Sequence, residues 1–112
     1  MFKWFTKRNF NQDEIEILNF GLELSASHFM IPVQDSLRER FPDLTQKERD
    51  RYNKVCQSVL KFGLNQVYRL INQRGITLAL DDLKPNMLKK FPWVSDTAMR
   101  GIIFLGIYIT QK

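Results

Sequence analysis

The sequence predicts an all-α protein, a compact bundle of about five helices that contains two related helix-turn-helix units. The main observation is a repeated motif, because Phe-Pro-Asp-Leu-Thr at 41–45 returns as Phe-Pro-Trp-Val-Ser at 91–95. In both copies, Phe-Pro ends one helix and a hydroxyl residue caps the next. Apolar residues also recur at helical spacing through most of the chain, whereas strand-like alternation with a pairing partner is missing.

Length and composition favour a single helical domain over residues 1–112. The chain has 112 residues, 44% of them hydrophobic and 26% charged, which is typical of a soluble globular protein. The one cysteine excludes an internal disulfide, and the first residues do not resemble a secretory signal. The longest apolar run, 101–109, has about half of the ~20 residues that a membrane-spanning helix needs, so it belongs in a core. We therefore expect a cytoplasmic protein.

The first helix is predicted over 12–31. Asn11 and Glu14 have the spacing of a capping box, and Phe10 and Ile15 have the spacing of a hydrophobic staple. Pro32 forces the residue before it out of helical geometry, so we expect the helix to end there.

A short second helix is predicted over 33–40, and a central helix follows it. Thr45 and Glu48 form a second capping box, and the apolar positions after them keep helical spacing until Gly75. Glycine is a common residue just past the end of a helix, so Gly75 is the predicted stop.

Residues 76–83 are predicted to be a connector, and two helices follow it. Asp81 or Asp82 is expected to cap a short helix that ends at Phe91. Ser95 is expected to cap the last helix. The β-branched residues of that last segment would equally suit a strand, but the cap and the helical context favour a helix.

Glycines lie inside several predicted helices. The tripeptide Phe-Gly-Leu occurs at 20–22 and at 62–64, and Gly101 and Gly106 lie in the last helix. A glycine in a helix interior costs about 1 kcal/mol relative to alanine, so each position needs a compensating role. Close helix crossing is the interpretation we favour, and a glycine-lined ligand groove is the alternative.

The residues that could carry chemistry favour structural roles. His28 is the only histidine and lies where it can contact the last carbonyls of the first helix. Cys56 falls on the apolar stripe of the central helix, where cysteine behaves as a small hydrophobe. A glycine-rich phosphate loop is missing from the sequence. We therefore expect a protein that is not an enzyme and binds no cofactor or metal.

The charge pattern suggests one binding surface. The net charge is +5, and acidic residues are concentrated between 13 and 35. Five basic residues lie on the side of the central helix away from its apolar stripe and form what we call the basic ridge: Lys47, Arg51, Lys54, Lys61 and Arg69. The ridge is either a solvated face that pairs partly with the acidic first helix, or a surface that follows phosphates while Tyr52 or Trp93 stacks on bases.

The first ten residues form a basic, aromatic segment. Its candidate contact residues are Phe2, Lys3, Trp4, Phe5, Lys7 and Arg8. Such a segment could rest on an anionic membrane surface. Alternatively, its aromatic side chains pack against the last helix.

By elimination, the sequence favours a small protein-binding or regulatory protein, such as an inhibitor, an immunity factor or an adaptor. Its expected partner is another protein, and self-association into a homo-oligomer stays open. A nucleic-acid-associated protein that uses the basic ridge is the alternative. Peripheral attachment to a membrane surface through the N-terminal segment is the third hypothesis.

Overall fold

The computed structural model describes residues 10–28 and 31–111, except for the side chains of 74–81 and of residue 111. This part contains four helices and no strand: α1 (Gln12–Ser27), α2 (Gln34–Arg40), α3 (Gln46–Lys90) and α4 (Asp96–Gln111). Because α3 doubles back on itself, it contributes two packed rods. The predicted all-α bundle is confirmed.

Helix α3 reverses direction. A straight helix of 45 residues would be about 68 Å long, whereas the longest dimension of the molecule is 44 Å. The ring centroids of Phe62 and Phe91 lie 5.5 Å apart, and Asn86 Nδ2 donates to Gln66 Oε1 at 3.4 Å. The reversal therefore lies between residues 66 and 86, and the two rods are antiparallel. We refer to α3 before residue 74 as its first leg and after residue 81 as its second leg.

The predicted helix stop at Gly75 and the predicted connector at 76–83 are wrong as secondary structure. The backbone is helical throughout α3, so no new helix begins at 81–83. A glycine costs a helix only about 1 kcal/mol, and the Leu-Ala-Leu sequence at 78–80 has high helix propensity. The predicted fourth helix is therefore the second leg of α3, the helix whose N-cap is Thr45.

The N-caps predicted at Asn11, Thr45 and Ser95 are confirmed. Asn11 and Thr45 each exchange two hydrogen bonds with the glutamate three residues later, at 2.8 and 3.0 Å and at 3.1 and 2.8 Å. Ser95 Oγ accepts a hydrogen bond from the backbone N–H of Ala98 at 3.1 Å. These side chains satisfy N–H groups that have no partner within the first turn of their helices.

Helix α1 ends at Ser27, four residues before the predicted end at residue 31. Ser27 Oγ donates to the carbonyl of Glu23 at 2.7 Å, and His28 Nδ1 lies 3.0 Å from the carbonyl oxygen of Leu24. These side chains occupy carbonyls of the last turn, so the helix is closed before Pro32 acts.

The two Phe-Pro turns have the same geometry, as the repeated motif predicts. Phe41 and Phe91 end their helices with backbone angles of φ −129°, ψ 74° and φ −130°, ψ 77°. The carbonyl of each accepts a hydrogen bond from the residue three positions later, Leu44 at 3.1 Å and Val94 at 3.2 Å. One structural unit is used twice.

An aromatic pair holds each of these turns. Phe20 packs edge-on against Phe41 at 5.5 Å, and Phe62 packs edge-on against Phe91 at 5.5 Å. The basic residue before each turn phenylalanine lies over one ring of its pair, at 5.3 and 4.6 Å. The two Phe-Gly-Leu tripeptides are therefore the partners of the two Phe-Pro turns.

The helical glycines lie at helix crossings, which confirms the predicted reason for their presence. A Cβ added at Gly63 would lie 2.7 Å from Cγ2 of Ile102 in α4. One added at Gly106 would lie within 3.0 Å of three side-chain atoms of Val67, including its Cβ. A Cβ added at Gly101 would lie 3.1 Å from Cβ of Ala26 in α1. The first leg of α3 is thus the centre on which the other rods pack.

Replacing Gly106 by alanine should destabilise the fold by about 1–2 kcal/mol, after the gain of about 1 kcal/mol in helix propensity. The new methyl group would meet the Cβ of Val67, which cannot rotate away because it is bonded to the backbone. Gly101→Ala is the matched control, and its free energy of unfolding should stay within about 0.5 kcal/mol of the parent, because the one close contact, with Cβ of Ala26 at 3.1 Å, roughly offsets the same gain in helix propensity. Urea denaturation measures both. Equal stability of the two variants would contradict the tight crossing at Gly106.

Candidate functional site

His28 and Cys56 have the structural roles that the sequence predicts. His28 is exposed and contacts the carbonyl of Leu24 at the end of α1. Cys56 is fully buried, and its Sγ lies 3.4 Å from the carbonyl oxygen of Leu18. Burial raises the pKa of the Cys56 thiol to about 12, which disfavours the nucleophilic thiolate. Within the described ranges, no group of three or more His, Cys, Asp and Glu side chains could hold a metal ion.

All five residues of the basic ridge are exposed on the first leg of α3. Helix α1 contacts the opposite face of that leg, where Cys56 lies half a helical turn around from Lys47. Four of the five cations have no acidic partner in the part of the chain that the structure describes: Lys47, Lys54, Lys61 and Arg69. The fifth, Arg51, does interact with another group. The acidic residues of α1 do not neutralise these four cations.

Of the two aromatic residues that the sequence offers for base stacking, Tyr52 is unsuitable. Tyr52 is only 7% exposed and belongs to the core. Trp93 is half-buried and makes edge contacts with Phe10 and Phe91 at 5.8 and 6.3 Å. Tyr68, which sequence reasoning missed, is 58% exposed on the first leg. Its position seven residues after Lys61 is a signal that would have identified it.

A second surface lies on α4. Helices α1 and α4 run side by side in the same direction, since Asn19 bonds to Ser95 and Ala26 contacts Gly101. Helix α1 ends at residue 27, whereas α4 continues to residue 111. The outer side of the last turns of α4 is therefore left uncovered by α1.

The part of α4 that extends beyond the end of α1 carries two exposed aromatic side chains. Phe104 is 70% exposed and Tyr108 is 49% exposed. They border a groove of about 340 Å³, which we call the open face; its lining residues are Ala26, Ser27, Gly101, Phe104, Leu105 and Tyr108. The expectation that 101–109 is a core segment holds for only one side of α4, where Ile102 and Leu105 are buried.

The N-terminal contact residues Phe2, Lys3, Trp4, Phe5, Lys7 and Arg8 lie outside the described residues, so membrane contact through them stays a prediction. No helix in the described ranges is both long and apolar enough to cross a membrane.

Comparison of the chain with protein-family models, with curated proteins and with solved structures found no match. The two surfaces, the basic ridge and the open face, are therefore the features of the chain that bear on its function.

Cys56 should be protected from thiol reagents in the folded protein. At pH 8 we expect its reaction with a chromogenic disulfide to be at least about 100-fold slower than in denaturant, because the thiolate is buried and disfavoured. Burial raises its folded pKa from 9.0 to about 12, so the unfolded chain loses this proton first. The contribution of Cys56 to stability is then constant below pH 9 and decreases above it, by about 1.4 kcal/mol per pH unit.

The control is Cys56→Ala, which lacks the thiol but keeps every other ionisable group of the chain. The difference in unfolding free energy between the two proteins, measured from pH 8 to pH 10.5, isolates the thiol. A difference that does not change over this range, or fast labelling of the native protein, would contradict the buried thiol.

Proposed function

We propose that this chain is a small protein-binding or regulatory protein, and that its partner docks on the open face. The observation that supports this most is the exposure of Phe104, 70%, on a helix whose other side is packed into the core. Full burial of such a side chain would contribute about 1.5–3 kcal/mol to binding. Aromatic anchors of this kind dominate the energetics of protein interfaces.

The shape of the open face suits an amphipathic helix of the partner. The groove runs beside α4 at the point where α1 ends, and Gly101 at its base has no side chain to fill it. Helices that bind in such grooves insert apolar residues spaced by three or four positions. Arg100 is exposed one turn before Phe104, so acidic residues flanking the apolar face of the partner helix would be favoured.

The proposal assigns no catalytic step and no cofactor. It places the protein in the cytoplasm, and the presence of a single cysteine supports this placement because small secreted domains usually carry several disulfides. Self-association through the same face is an outcome that the experiment below distinguishes.

Phe104→Asp should remove partner binding, because a carboxylate would have to be buried in an apolar contact. Tyr68→Ala is the matched control, since Tyr68 is a similarly exposed aromatic residue on a different surface. Tagged parent and variants are purified from the source cells, and each stoichiometric protein partner is identified by mass spectrometry. We expect one partner that the parent and Tyr68→Ala retain and Phe104→Asp loses. Calorimetry with this purified partner should then show at least about a 30-fold loss of affinity.

A partner that binds the parent and Phe104→Asp equally would refute docking on the open face. Light scattering coupled to gel filtration tests self-association. A parent dimer that becomes a monomer in Phe104→Asp would identify a second copy as the occupant, in place of a different protein.

A further inference from the structure

Three lysines and one tyrosine form a straight row along the first leg of α3. Lys47, Lys54, Lys61 and Tyr68 are spaced by seven residues, and all four are exposed. Seven residues make nearly two helical turns, so these side chains share one face and are separated by about 10.5 Å. The whole row spans about 32 Å.

The row lacks local neutralisation. None of its three lysines has an acidic partner among the described residues. The nearest carboxylates on the same helix are engaged elsewhere: Asp50 accepts a hydrogen bond from Gln46 at 2.8 Å, and Glu48 caps the helix through Thr45. A line of unpaired like charges is a surface that attracts a polyanion.

Tyr68 adds an exposed aromatic ring, which purely electrostatic binding of a polyanion would not need. It is 58% exposed at the end of the row, and Asn65 and Arg69 on either side of it are also exposed. A flat aromatic ring beside cations is the arrangement that binds unpaired bases, because each base can stack on the ring while phosphates contact the cations. An acidic peptide or a lipid headgroup would also contact the cations, but neither carries a flat base that stacks on the ring.

We propose that the row of Lys47, Lys54, Lys61 and Tyr68 binds single-stranded nucleic acid, with the lysines contacting phosphates and Tyr68 stacking on a base. This goes beyond the proposed protein-binding function and uses a different surface. A single strand fits better than a duplex, because bases in a duplex are already stacked on one another and cannot reach Tyr68.

Fluorescence anisotropy tests the proposal with the full chain and labelled probes of about 20 nucleotides: single-stranded DNA, RNA of the same sequence, and the corresponding duplex. We expect a single-stranded probe to bind more tightly than the duplex. If three phosphates are neutralised, affinity should fall about 20-fold between about 50 and 200 mM salt.

Variants assign the binding to the row. Lys54→Glu with Lys61→Glu should lower affinity at least about 10-fold, and Tyr68→Ala should lower it about 5- to 100-fold. Phe104→Ala is the matched aromatic control on the other surface, and it should bind as the parent does. Heparin, which offers negative charge without bases, should bind Tyr68→Ala and the parent equally. Circular dichroism checks that each variant is folded. If the charge reversal disturbs folding, Lys54→Gln with Lys61→Gln is used in its place.

The proposal is overturned if no single-stranded probe binds below about 100 µM. It is also overturned if the lysine variant binds as the parent does, or if Tyr68→Ala has no effect while heparin or anionic vesicles bind as tightly as the oligonucleotides. The last result would indicate a general polyanion or membrane surface. None of these outcomes affects the open face, because Phe104 lies on a different helix.

Discussion

The close approach at Gly63 is the contact on which the rest of the structure depends. Met87 of the second leg and Ile102 of α4 both reach the space that a side chain would fill there. Four residues further along, Gly106 lies against Val67, so α4 follows the first leg in parallel. This packing fixes which side of α4 is buried and which side of α3 faces solvent. The open face and the basic ridge are both consequences of that arrangement.

The two Phe-Pro units bring chain segments back to that centre. Each combines the phenylalanine of the turn, the phenylalanine of an earlier Phe-Gly-Leu tripeptide, and a basic side chain over one of the two rings. The units differ in what they connect: Phe20 and Phe41 join α1 to the end of α2, whereas Phe62 and Phe91 join the two legs of α3. The turn geometry is the same in both units. The second leg of α3 is therefore held against the first leg by the same kind of aromatic contact that holds the end of α2 against α1.

Features that depend on a few neighbouring residues could be predicted from the sequence. The caps at Asn11, Thr45 and Ser95 involve hydrogen bonds that span three residues, and the turns span four. The continuous helical backbone of α3 could not be predicted, because a glycine stop and a glycine inside a helix look alike until tertiary packing decides between them. Periodicity also identified the basic ridge, but it placed Tyr52 for stacking although this residue is buried.

The open face was missed for a related physical reason. Hydrophobic periodicity shows that α4 is apolar on several sides, but the length of the neighbouring helix decides which sides are covered. Helix α1 ends about one turn before the level of Phe104, and the sequence of α4 itself does not indicate where the neighbouring helix ends. The exposed aromatic side chains thus lie on the part of the apolar surface of α4 that α1 does not reach. A partner helix in the groove would occupy the place that further turns of α1 would have filled, which is why an amphipathic helix, rather than an extended or polar segment, matches this surface.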